Sequence, residues 1–439
     1  MSKRGQEAKG CYTQNGLLKA GRLMFEDESI PVKRPWFLVG AIAGLVFLGI
    51  TGIAVVVCEP LLRASSAAAA LHSRGMRMDY SESRLSLELR QLWRQLSERK
   101  LAVTAVSAYC ESGSPSRVRD EDLIHVRAFP DIYSVDLRDQ AITSAGLPHL
   151  SGLNLEALSL ARTKVGSGAV GLQPLASLDK LRMLDLSRTQ VVDDDLEGLS
   201  TLYHLQGLNL ADTKVTAAGI AHLSGLTGLV SLNLDRTRVT DPILNELAGT
   251  RGLSHLELVG TKVTGAGFEK LARCGLKELR LTGSALSDAG LRGIGQISTL
   301  TGLSISRTVV SPAAMSHLAN LHELRWLDMQ GPGFGDDHLY AVSACNRLRE
   351  LRISGSRITV RGVQALLSLK NLARLEIDGN LLKSDDVIRV LAQSPKLKEV
   401  DVRMHSLTEL DVEAVQQQLG PTVRVFEVSD NPAQAKPSL

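Results

Sequence analysis

Residues 205–247 read LQGLNLADTKVTAAGIAHLSGLTGLVSLNLDRTRVTDPILNEL, and within them one pattern occurs twice. Leu205, Leu208, Leu210, Thr213, Val215 and Leu223 return 24 positions later as Leu229, Leu232, Leu234, Thr237, Val239 and Leu247. Each copy begins with alternating leucines, the period of a strand with one buried face. It ends on apolar residues three or four apart, which lie on one face of a short helix. A hydroxyl at Thr213 or Thr237 stands where the chain must leave the strand, placed to bond backbone. A strand and a short helix cannot bury these leucines alone. Stacked copies can, so the period predicts a solenoid.

The register extends in both directions. Ile132, Leu155, Leu181, Leu205, Leu229, Leu253, Leu276, Leu300, Leu324, Leu348, Leu372 and Leu397 open successive units, and seven of the eleven gaps are 24. The threonine position reads Thr163, Thr189, Thr213, Thr237, Thr261, Ser284, Thr308, Ser356 and Asn380 in the units that keep it. Leucine richness alone would not hold both features in step. Asp193, Thr216, Thr240, Thr264, Ser287, Ser311 and Ser384 carry oxygens suited to capping each unit's helix. The 26-residue second unit and the ninth unit, with Pro332 at the threonine position, are expected to be locally irregular.

These motifs, Leu-x-x-Leu-x-Leu-x-x-Thr-x-Val followed by Thr-Asp-x-Gly-Leu-like segments, resemble the leucine-rich repeat family, in particular its bacterial versions, over about residues 132–410. The resemblance implies an α/β solenoid with parallel strands on the concave face and short helices on the convex face. It also implies a surface used for recognition.

Upstream, residues 36–58 run for 23 positions without a charge, from Trp36 to Cys58. At about 1.5 Å per residue they span roughly 34 Å, enough for one transmembrane helix. The tail 1–35 holds seven basic and four acidic residues, with Lys33 and Arg34 against the apolar stretch. The positive-inside rule then places the tail in the cytoplasm and the solenoid outside it. With the bacterial resemblance, this gives a single-pass inner-membrane protein. Gly40 and Gly44 form a Gly-x-x-x-Gly pair that lets two such helices approach, so a homodimer through the anchor is one expectation. Residues 59–79 read as a linker and 80–131 as a helix (Leu85, Leu89, Leu92, Trp93, Leu96, with Ser81 as N-cap) and solenoid cap. The solenoid occupies 132–428, and 429–439 reads as a disordered tail.

The chain carries +3 over 439 residues, and the tail alone carries +3, so the remainder is formally neutral and unsuited to nucleic acid. The five cysteines form no Cys-x-x-Cys pair, and Cys274 and Cys345 fall three units apart. That is beyond disulfide reach, and buried thiols are expected instead. His149, His222 and His317 sit in units too distant to share a metal. Asp193-Asp194-Asp195, Asp336-Asp337 and Asp385-Asp386 stand where helices begin and read as caps. Gly331-Pro332-Gly333-Phe334-Gly335 lacks the spacing of a phosphate loop, and Phe334 falls on the buried valine position. With no nucleophile–base arrangement, neither an enzyme, a cofactor nor a metal is expected.

Two function classes fit: a membrane-tethered module binding a protein or envelope ligand, and a structural envelope protein associating laterally through its anchor. The best contact candidate is Trp326, the one tryptophan of the array, with Asp328 on the same strand and Arg325, Arg349 and Arg352 nearby. Gly302, its counterpart in the preceding unit, is expected to leave the ring open on that side.

Overall fold

The computed structural model describes residues 118–377 except 130 and 167, four flanking strands (Met76–Ser81, Ala102–Ala108, Glu399–Asp401 and Arg424–Val425), and positions 390 and 393. The chain divides into units Met1–Leu62 and Arg63–Leu439, and every described residue belongs to the second. The tail 1–35, the segment 36–58 with Gly40 and Gly44, the Leu85–Leu96 stripe, Ser384 and Asp385-Asp386 lie outside the described residues. Among the described residues no helix is long and apolar enough to cross a membrane.

One sheet runs through the unit in chain order. β1 (Met76–Ser81) pairs antiparallel with β2 (Ala102–Ala108), and every later pairing is parallel. β1 therefore takes in residues 76–79 of the stretch read as a linker. Three-residue strands follow: β3 (Ser134–Asp136), β4 (Ala157–Ser159), β5 (Met183–Asp185), β6 (Gly207–Asn209), β7 (Ser231–Asn233), β8 (His255–Glu257), β9 (Glu278–Arg280), β10 (Gly302–Ser304), β11 (Trp326–Asp328), β12 (Glu350–Arg352) and β13 (Arg374–Glu376). β14 (Glu399–Asp401) and β15 (Arg424–Val425) close the series. From β3 to β13 each central residue points inward: Leu208, Leu232, Leu256 and Leu279 pair in register and are essentially without exposure. With the opening leucine and the helix leucines of each unit they form one continuous apolar core. Short turns of α or 3-10 helix, such as Asp193–Leu199, Ala217–Ala221 and Asp288–Ile294, cover the other side.

The exit from each strand between β3 and β12 is left-handed. Asp139, Arg162, Arg188, Asp212, Arg236 and Arg307 have φ between 53° and 62°, and Gly260, Gly283, Gly331 and Gly355 occupy the same place in their units. A side chain there costs about 1–2 kcal/mol. Stacking offsets it, because from Asp139 to Gly331 these N–H groups donate to the next unit, as Arg188 does to Ala211 O at 2.8 Å and Arg236 to Val259 O at 2.7 Å. The following threonine then bonds back within its own unit. The hydroxyls of Thr163, Thr189, Thr213 and Thr237 each donate at 2.6 Å to the carbonyls of Leu160, Leu186, Leu210 and Leu234.

Aspartates near the helix starts, among them Asp193 and Asp336, which read as caps, tie units together instead. Asp193 Oδ1 and Oδ2 accept from the N–H and hydroxyl of Thr216, both at 2.6 Å. Asp336 does the same for Thr359 (2.8 and 2.6 Å), and Asp241 accepts from Thr264 N, Thr264 Oγ1 and Gly265 N. A carboxylate spans two donors of the next unit because that unit's hydroxyl residue lies one strand spacing away. Thr216, Ser287 and Ser311 do cap their own helices. Thr240 and Thr264 do not: those helices start later, behind Pro242 and Gly267. Asp195 keeps a local role, accepting from Val192 N at 2.9 Å.

In the second unit the two extra residues are taken up around Gly166 and Gly171 (φ 100° and 51°). In the ninth, Phe334 is buried as its position requires, and His338 is buried beside it. Gly335 N donates to His338 Nδ1 at 3.2 Å, while His338 Nε2 lies 2.9 Å from Val310 O.

Candidate functional site

Since the central residue of each strand is buried, the first and third residues form two rows on the open face of the sheet. From β5 to β8 the first row reads Met183, Gly207, Ser231, His255 and the second Asp185, Asn209, Asn233, Glu257, each in register with the next. From β9 to β13 the rows become Glu278, Gly302, Trp326, Glu350, Arg374 and Arg280, Ser304, Asp328, Arg352, Glu376.

The structure brings Trp326 and Asp328 onto this face together, on either side of the buried Leu327. Gly302 does not leave the ring open. A Cβ there would stand 2.0 Å from Trp326 Nε1 and 2.3 Å from Cε2, so the indole lies on the glycine backbone. The Arg280 guanidinium is 5.9 Å from the ring centroid, a cation–π distance. Arg280 also approaches Glu257 at 3.7 Å. The sequence named Gly302 only as an opening beside the ring, and it did not single out Arg280. A glycine in a strand preceding a tryptophan strand by one period was the available signal for the first.

Asp328 is occupied by its own sheet, accepting from Ser304 Oγ at 3.0 Å and from Ser306 Oγ. Arg352 is held between Glu350 (2.8 Å) and Glu376 (3.5 Å), and Arg374 reaches Glu350 at 3.5 Å. Arg325 lies 3.9 Å from Glu323, which also bonds Arg347. Arg349 is exposed one residue before β12. Charges from β12 onward are thus largely paired with each other, and the half-buried indole is the large apolar group among them.

Toward β3 the face changes character. An open trough of about 440 Å³ runs from β3 to β8 over small residues such as Ala157, Gly207 and Ser231. Met183 is 53% exposed there and leans over Gly207, whose Cβ would meet its Sδ at 2.7 Å. Beside the trough, burial and the nearby Glu257 push the Asp235 carboxyl above its ordinary range, despite a hydrogen bond from Val259 N.

Away from this face, His149 and His317 are half-buried and His222 exposed, each in a different unit. No group of three His, Cys, Asp or Glu converges as metal ligands among the described residues. Cys274 and Cys345 are buried free thiols, and burial pushes Cys345 up to about 11.

A sequence model of the leucine-rich repeat region matches residues 145–436. Among solved structures, an internalin from Listeria monocytogenes is similar at 19% identity and a TM-score of 0.51, covering 73% of this chain and 94% of its own. A leucine-rich repeat protein of Leptospira interrogans is similar at 17% identity and a TM-score of 0.42, covering 69% and 85%. At these identities the first likeness shows the fold alone.

Proposed function

The chain belongs to the leucine-rich repeat family, and from that premise we propose that its open sheet face is a protein-recognition surface. In this reading a single transmembrane helix, residues 36–58, holds the face outside the cytoplasm of a bacterial cell, with the basic tail 1–35 inside. The fold supports a protein-recognition module, since a stacked solenoid spends its apolar residues on its own core and offers one long regular face. An enzyme is not proposed.

The observation that carries the reading is the seat of Trp326. A glycine beneath the indole and a guanidinium beside it hold a large amphipathic ring in one place, next to strands whose charges are paired with each other. Preorganised tryptophans surrounded by polar groups are typical interface anchors. Asp328, Arg325, Arg349 and Arg352 then form a polar rim.

The test is capture of a stoichiometric partner by a fragment beginning at Arg63, because β1 starts at Met76 and a later start would cut the sheet. Trp326→Ala should weaken that partner by about 2 kcal/mol or more. Unchanged affinity in a folded variant would move the site elsewhere. Protease added to intact spheroplasts should degrade the solenoid. Protection of the solenoid with loss of the tail would reverse the topology.

A further inference from the structure

We propose that the trough between β5 and β8 takes an extended basic segment of a protein partner, with its cations over the two ends of the Asp185–Asn209–Asn233–Glu257 row and an aliphatic side chain against Met183. This rests on the recognition reading and names the chemistry of the partner at a second place on the same face.

Three features of the trough converge. Its second row is acid, amide, amide, acid, in register across four strands. Asn209 and Asn233 have their Oδ1 atoms fixed by Ala211 N (3.1 Å) and Asp235 N (2.9 Å), so the row is held rather than floppy. Second, charge there is unbalanced. From β3 to β8 this face and its margin carry the carboxylates of Asp136, Asp139, Asp185, Asp212, Asp235 and Glu257 against the guanidinium groups of Arg138, Arg162, Arg188, Arg236 and Arg280, one cation short. Arg138 is already bound to Asp136 at 2.7 Å, Arg162 to Asp139 at 2.5 Å, Arg188 and Arg236 share Asp212, and Arg280 is divided between Glu257 and the Trp326 ring. A cation arriving beside Glu257 would also relieve the half-buried Asp235 next to it. Third, Met183 is more than half exposed over a glycine and serine floor, where nothing larger fills the space. A thioether on a small-residue floor adapts to an aliphatic partner.

The geometry sets the spacing. Asp185 and Glu257 are three strand spacings apart, about 14 Å at ~4.8 Å each. An extended chain covers that distance in about four residues at ~3.4 Å per residue. The occupant is therefore a segment with two Lys or Arg residues about four positions apart and a Leu, Ile or Met beside the first. An acidic segment would meet like charge at both ends.

The test selects peptides from a random dodecapeptide library displayed on phage, using the purified full-length chain in detergent micelles. Selected peptides should carry the two spaced basic residues. A synthetic copy should shift the ε-methyl NMR signal of Met183, and its affinity should fall at least tenfold both in Asp185→Asn/Glu257→Gln and on raising salt from 50 to 500 mM. These two replacements keep shape and acceptor oxygens, and melting curves confirm that the variant is folded. Selection of no peptide, of peptides without the basic pair, or of peptides that bind the variant equally well would overturn the proposal. A natural partner that loses affinity in Trp326→Ala while ignoring Asp185→Asn/Glu257→Gln would overturn it and leave the recognition reading standing.

Discussion

Leu232→Ala tests the stack at its centre. Leu232 is the middle residue of β7, has no exposure, and is paired in register with Leu208 on one side and Leu256 on the other. The substitution removes three carbons from contact with two other units. At about 0.8 kcal/mol per buried carbon the transfer loss is roughly 2.4 kcal/mol. Neighbours on both sides are themselves fixed in register, so the site collapses poorly and the cavity adds to that loss. The expected cost is about 3–4 kcal/mol, the middle of the range for buried leucines. Arg236→Ala is the comparison, four residues along the same unit. Arg236 pairs with Asp212 at 2.6 Å, but the arginine side chain is half exposed and Asp212 keeps Arg188 at 3.2 Å. Alanine inherits the left-handed backbone, so only an exposed ion pair is lost, well under 1 kcal/mol. Urea denaturation of the two variants, followed by far-UV circular dichroism, measures the difference. Equal shifts in midpoint at equal slope would refute the register on which the core assignment rests. A changed slope for Leu232→Ala alone would instead mean the array no longer unfolds as one unit.

Asp241→Ala should cost about 2–4 kcal/mol, because it leaves Thr264 N, Thr264 Oγ1 and Gly265 N without their acceptor, whereas Asp194→Ala should cost under 0.5 kcal/mol; thermal melts compare them. Acid should weaken the fold through Asp139, Asp212 and Asp288: Arg162, Arg236 and the Ser311 N–H respectively hold their carboxyls below the ordinary range. Their stabilisation is complete above about pH 4 and fades as pH falls through the depressed values, which a melting series from pH 7 to pH 2 would show. Asp235 has the opposite sign, since its folded value is raised. Asp235→Asn should therefore raise the melting midpoint at pH 7 and lose that advantage as the wild-type carboxyl protonates on acidification. Cys274 and Cys345 should resist iodoacetamide at pH 8 until denaturant is added, as read by peptide mass mapping, because both thiols are buried and pushed up in pKa.

The architecture was legible in the leucines alone. Alternation of leucines with a period near 24 has one economical solution, in which every unit buries its strand leucine against its neighbours, and the register pairs of β5 to β8 follow that spacing. The threonine after the strand was legible for the same reason: its partner is a carbonyl three residues back, a contact local in sequence. What crosses from one unit to the next was not legible. Asp193 looks like a cap because it precedes a helix, yet its acceptors are used by Thr216, 23 residues later but one strand spacing away. Gly302 looks like an opening beside Trp326, yet an indole is wide enough to reach across and lie on it. Arg280, two units before Trp326, meets the ring only because the sheet places their rows side by side. Periodicity fixes which residues point out. Which outward-pointing side chains meet depends on their lengths and on the lateral spacing of strands, and only the folded stack supplies that distance.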